Sequence, residues 1–268
     1  MGKVTSIGWA NVPGYIGGTW NCWQGCHPIS PACEKCYMYR EKKRYGQDPS
    51  VVVRSKPATF NLPLRTKEPH SWFVCSWSDF FIEEADPWRE EAWDIIRECS
   101  QHLFLILTKR PERMDTCLPP DWSNGQPNVW LGVTAENQKR ADERIPLLLQ
   151  TPALVRFVSV EPMLGLVKLP ENWSYIQPDG FENNGPMTMT FQSFVSDPDA
   201  SIDWILIGGE SGPGARPMNL DWARSILNQC REAQVKAYVK QLGGWPDQRT
   251  DPAEWPEDLR VQEFPNGF

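Results

Sequence analysis

Cys26, Cys33 and Cys36 fall within eleven residues of one another, in the segment TWNCWQGCHPISPACEKCYMYREKKRYG, and Cys22 precedes them by four positions. In a reducing compartment, thiols this dense hold a metal or a cluster more often than they pair as disulfides. Two occupants suit the Cys-x6-Cys-x2-Cys spacing. Zinc takes four ligands, and Cys22 or His27 would complete its set. A four-iron, four-sulfur cluster would take the three thiolates and leave one iron open to a substrate or cofactor. Cys75, Cys99, Cys117 and Cys230 stand scattered among apolar residues and read as buried hydrophobes.

A second set of chemically capable residues follows a series of apolar runs. Ser76, Ser78 and Asp79 end one run, and Thr108, Lys109 and Arg110 end the next. Thr134, Glu136 and Asn137 follow a third, Ser159 and Glu161 a fourth, and Gly208, Gly209 and Glu210 a fifth; the last run contains Lys240 and Gln241. Opposite charges gathered in one mouth suit a zwitterionic or phosphate-bearing ligand. The glycine-rich GGESGPGARP (208–217) lacks the spacing of a dinucleotide fingerprint, and no GKS or GKT follows it. Its glycines would let backbone amides approach a ligand, with Glu210 and Arg216 placed to meet amino and carboxylate groups.

These residues need a scaffold, and the runs supply one. SWFVCSW (71–77), HLFLILT (102–108), NVWLGVT (128–134), LVRFVSV (154–160), DWILIGG (203–209) and KAYVKQL (236–242) read as strands buried on both faces. A short strand near Gly17–Asn21 precedes them. Helical periodicity over 87–101, 136–150 and 220–234 fills intervals between them. The alternation predicts a parallel sheet with helices outside. The fold class expected is α/β, a full or partial (β/α) TIM-type barrel in one domain over 1–268, with a doubly wound open sheet as the alternative. In either, ligands bind beyond the carboxyl ends of the strands, where the polar residues and the cysteine loop fall. Residues 170–202 break the alternation and read as an inserted β-hairpin. The tail from Gly243 (243–268) is rich in proline and aspartate and reads as surface coil.

Composition bounds the rest. The 268 residues carry 40% hydrophobic and 23% charged side chains, ordinary for a globular protein with a full core. No apolar run approaches the roughly 20 residues of a membrane span. The first residues lack the pattern of a secretory signal, so a cytoplasmic location without membrane contact is expected. The net charge of -7 sets the overall field against nucleic acid. A local stripe of Arg40, Lys42, Lys43 and Arg44, with Arg54 and Lys56, could still supply phosphate contacts, although Glu41 among them favours a solvated mixed-charge helix face. Trp72, Trp130 and Trp204 read as core; Trp20, Trp23 and Trp77 lie where they could shield a cluster or stack on a planar ligand, with core packing the favoured role for each.

The motif series TWNCWQGC…SPACEKCY, LTKRPERM, VWLGVTAENQ, FVSVEPMLG, WILIGGESGPGARPM and VKQLG resembles a phage-associated three-cysteine-motif family of unassigned function, over nearly the whole chain except 170–202 and the tail. That family in turn resembles radical S-adenosylmethionine barrel enzymes, spore photoproduct lyase among them. The resemblance implies a [4Fe-4S] cluster on Cys26, Cys33 and Cys36 with S-adenosylmethionine on the open iron. Family members usually carry proline at the position of Cys22, which removes it as an essential ligand. The radical enzymes space their cysteines x3 then x2, and here the spacing is x6 then x2. Their GGE motif follows the second strand; here GGE comes late, and Ser78 or Asp79 occupies the earlier place near the methionine amine. With the strand-end positions, this puts the expected cofactor contacts at Ser78, Asp79, Glu136, Asn137, Gly209, Glu210 and Arg216, and the expected catalytic roles on Lys109, Glu161 and Lys240. The resemblance also implies a nucleic acid or nucleotide substrate, with Lys109, Arg110 and Lys240 on phosphates, and a partner protein encoded nearby. The alternatives are a zinc-stabilised binding module for nucleic acid or protein, and an iron–sulfur redox or sensor protein without radical chemistry.

Overall fold

A computed structural model of the chain describes residues 5–170, 200–265 and 267. In chain order its elements are β1 (Ile16–Trp20), β2 (Trp23–Gln24), α1 (Tyr37–Arg44), β3 (Val53–Arg54), α2 (Pro57–Phe60), α3 (Leu62–Arg65), β4 (His70–Val74), α4 (Asp86–Glu98), β5 (Leu103–Thr108), α5 (Met114–Cys117), β6 (Val129–Thr134), α6 (Gln138–Gln150), β7 (Val155–Val160), β8 (Trp204–Gly208), α7 (Leu220–Ala233) and β9 (Lys236–Gln241).

Seven strands form one all-parallel sheet in the order β1-β4-β5-β6-β7-β8-β9. The order follows the chain without reversal, so the sheet is wound one way and the doubly wound alternative falls. β2 and β3 make a separate antiparallel pair. Five pairing steps separate β4 from β9, about 24 Å were the sheet flat. Yet consecutive residues of the N-terminal segment touch both: the Trp9 ring lies 4.7 Å from that of Phe73 on β4, and Gly8 packs on the Tyr238 hydroxyl of β9. The sheet is therefore curled into a half-barrel. Among the described residues β1 and β9 do not pair with each other, so the barrel is partial.

Alternation along the strands divides the core in two. Leu105, Trp130, Phe157, Trp204 and Tyr238 point inward and close round Trp9 at the amino-terminal end of the barrel. Phe104, Ile106, Leu131, Val133, Val158, Ile205 and Val239 point outward beneath the helices. α4 lays Ala92, Trp93, Ile95 and Ile96 on that outer layer, and α7 adds Ala223, Ile226, Leu227 and Cys230. Asn137 and Asn219 start α6 and α7 by accepting from backbone amides of the first turn.

Several expectations change in detail. The tail is more than surface coil: the Val261 carbonyl accepts from Val239 and Glu263 donates to the Ala237 carbonyl, which pairs this segment along the free edge of β9. The basic stripe is not one solvated face. Lys42 is buried, and the Arg40 guanidinium lies against Gly212. Trp20 and Trp23 are fully buried, in keeping with the core role favoured for them. The hairpin expected within 170–202 falls almost entirely outside the described residues. Among the described residues no helix is long and apolar enough to cross a membrane.

Candidate metal centre

The loop between β2 and α1 crosses the carboxyl ends of the strands. It begins at Gly25, whose φ of +97° and close approach to the Val51 carbonyl leave no room for a side chain. Ser78 Oγ donates to the Gly25 carbonyl at 2.5 Å, and the Cys26 amide donates to the Pro49 carbonyl. Pro31 opens a short 3-10 turn that ends at Cys33, and Cys36 stands at the start of α1.

Side chains following β4, β5, β6 and β8 reach or brace this loop. After β5, Arg110 donates to the His27 carbonyl at 3.0 Å and to Cys26 Sγ at 3.6 Å. Asp79, after β4, aims that arginine: its carboxylate lies 3.3 Å from Nη1 and accepts from Thr108 Oγ1 (2.6 Å), the Lys109 amide (2.9 Å) and the Phe81 amide (3.0 Å). After β6, Glu136 is completely buried, accepts from the Ala32 amide at 3.4 Å and pairs with Arg144 of α6 at 3.0 Å. Burial alone would raise the Glu136 carboxyl; hydrogen bonds from Ser30 and its own amide, and the Arg144 charge, outweigh it and hold the group below the usual carboxylate range. After β8, Glu210 grips Arg216 at 2.5 Å, and Arg216 reaches the Pro31 carbonyl (2.9 Å) and Glu34 (3.2 Å). Tyr37 donates to the Ser76 carbonyl and Tyr39 to the Cys26 carbonyl.

All three loop thiols are free and partly exposed. The Tyr39 hydroxyl lies within electrostatic reach of every one: its pKa is pushed up to about 12, by burial first and then by Cys26, Cys36 and Cys33. Burial, then Asp79, pushes the Cys26 thiol up to about 11, with Arg110 opposing. A bound cation reverses that preference, because coordination deprotonates a thiol. Among the described residues no three His, Cys, Asp or Glu side chains converge as ligands of a single ion would. The two residues that would complete a zinc site are engaged elsewhere. Cys22 is buried with its sulfur 3.4 Å from that of Cys75, and His27 Nε2 lies 2.5 Å from Glu84. Cys26, Cys33 and Cys36 are thus carried on one loop as free thiols, with the Tyr39 hydroxyl within electrostatic reach of all three.

The sequence model of the family described as "Protein of unknown function (DUF5131)" matches residues 4–262. This chain belongs to that family. No curated protein and no solved structure matches it.

In this DUF5131 member the site residues expected from sequence divide into three groups. Ser78, Asp79, Glu136, Glu210 and Arg216 hold the cysteine loop. Glu161 and Lys240 pair with each other at the inner rim, over Gly208, while Lys109 makes no ion pair among the described residues. Asn137 caps α6, accepting from the Arg140 amide at 3.1 Å, and the Leu242 carbonyl occupies the space a side chain at Gly209 would need. Sequence reasoning missed Arg144, Tyr39 and Arg140, whose guanidinium donates to the Ile29 carbonyl of the loop at 3.3 Å. Arg144 carried one signal, a charge within the apolar stripe of Ala141, Ile145 and Leu148. The DUF5131 fold also has a cavity of about 390 Å³ beside Trp130, Asp203 and Lys236, at the opposite end of the strands from the thiols.

Proposed function

We propose that this chain is a radical S-adenosylmethionine-type enzyme whose cysteine loop holds a [4Fe-4S] cluster and which acts on a nucleic acid or nucleotide. The observation that carries the reading is the clamping of a three-thiol loop across the carboxyl ends of a parallel half-barrel, with Cys22 and His27 both turned to other partners. When bound, such a cluster supplies single electrons for reductive cleavage of the sulfonium cofactor.

The chain's own residues would act as follows. Cys26, Cys33 and Cys36 hold the cluster. Arg110 sits beside Cys26 and offsets thiolate charge, while Asp79 keeps the guanidinium in place. Glu136 and Arg216 fix the turn that carries Cys33 from its two sides. Glu161 and Lys240 form an ion pair at the inner rim, and Lys109 lies on the same face. The nucleotide part of the reading rests on these mouth cations and on the likeness of the motif series to phage-borne relatives.

Anaerobic purification with iron, sulfide and zinc analysis tests the proposal. The expected protein is brown, binds S-adenosylmethionine and releases 5′-deoxyadenosine after reduction. A colourless protein with one zinc per chain would replace this reading with a zinc-stabilised binding module. A coloured protein indifferent to S-adenosylmethionine would leave a redox or sensor role.

A further inference from the structure

The charges at the mouth nearly cancel in pairs: Asp79 with Arg110, Glu136 with Arg144, Glu210 with Arg216, and Glu161 with Lys240. Lys109 is left over. Beside it stands a second unsatisfied group. Thr134 Oγ1 is fully buried and has no hydrogen-bond partner among the described residues. Native folds seldom leave such an atom unmatched unless a ligand, ion or water serves it.

Register brings these groups together. Thr134 on β6 pairs with Ser159 on β7. Thr108 on β5 pairs with Val133, which sets Lys109 beside Thr134 one position further on. Trp130 and Phe157 lie on the inner face, so by alternation Thr134 and Ser159 face inward too, as does Lys109 after Leu105 and Leu107. The Ser159 hydroxyl also makes no hydrogen bond among the described residues. Strands lie about 4.8 Å apart, so the three residues span about 10 Å, the reach of an ammonium and two hydroxyls around one small anion.

The geometry points to an oxyanion subsite on the inner face of the half-barrel, in which Lys109 Nζ, Thr134 Oγ1 and Ser159 Oγ bind a carboxylate or phosphoryl group of the ligand. Glu136, close enough for Lys109 to lower its pKa, is held by Arg144 and the cysteine loop and leaves the lysine for the anion. The subsite does not depend on which metal the cysteines take.

The test uses purified protein at matched ionic strength in chloride. Inorganic phosphate is followed by phosphorus line broadening and acetate by saturation-transfer proton spectroscopy. Wild type is expected to bind one or both. Binding of phosphate alone would assign the subsite to a phosphoryl group, and binding of acetate as well would include carboxylates. T134V keeps the shape and removes the orphan hydroxyl. It should weaken the anion roughly tenfold while raising the urea midpoint of the free protein, and K109M should weaken binding at least as much. Wild type that binds neither probe overturns the subsite. So does T134V that gains stability but binds as wild type does, because the hydroxyl is then only an unmatched core atom.

Discussion

Glu136 Oε1 accepts from the amide of Ala32 at 3.4 Å, while Oε2 of the same carboxylate pairs with Arg144 at 3.0 Å. One strand-end side chain thus joins the turn that ends at Cys33 to the helix behind the sheet. Glu136→Ala strands a buried arginine and should cost about 3–5 kcal/mol, read from urea unfolding. Glu136→Gln keeps an acceptor for Ala32 and should retain more bound metal per chain than the alanine variant.

Cys22 and Cys33 should separate cleanly in metal content. Cys33→Ala removes a loop thiol and should lower bound iron, sulfide or zinc to a small fraction of wild type. Cys22→Ala deletes one buried sulfur from the contact with Cys75, costs about 1 kcal/mol, and should leave metal content unchanged. Equal losses in the two variants would return Cys22 to the ligand set.

Gly25 should tolerate no side chain. At φ +97°, with a Cβ only 2.2 Å from the Val51 carbonyl oxygen, Gly25→Ala must move backbone. A loss of about 1–3 kcal/mol is expected, together with weaker metal retention because Cys26 is the next residue. Gly46, also at positive φ but with open space around it, should show the strain alone.

His102 sets a pH dependence away from the site. It is buried, accepts from the His70 amide at Nδ1 (3.1 Å) and lies 3.1 Å from the Pro63 carbonyl at Nε2, an arrangement that needs the neutral ring. Burial chiefly lowers its pKa. The unfolded chain takes a proton near the ordinary value of about 6.5 and the folded one resists it, so stability falls as pH drops through that value. The urea midpoint should fall between pH 7.5 and 5.5, and less steeply in His102→Gln.

The strands were legible because each is a near-continuous apolar run buried on both faces, as LFLILT and VRFVSV show. The mouth was legible for the same reason: polar residues just past such runs have only one end of the sheet to occupy. Which of them face a ligand was not. Asp79 and Ser78 looked like cofactor contacts, but their hydrogen bonds go to backbone and side chains brought near only by folding. Asn137 has the same chemistry whether it caps a helix or meets a ligand. Curvature was equally hidden, since it follows from Gly8 and Trp9 reaching β4 and β9 across five strand pairings, a long-range contact with no local signature.

Trp9 and its aromatic neighbours seal the floor of the half-barrel. The cysteine loop lies across the other end of the strands. The aromatic plug at one end thus confines the polar strand-end residues to the other, and any ligand they meet would share that end with the thiols.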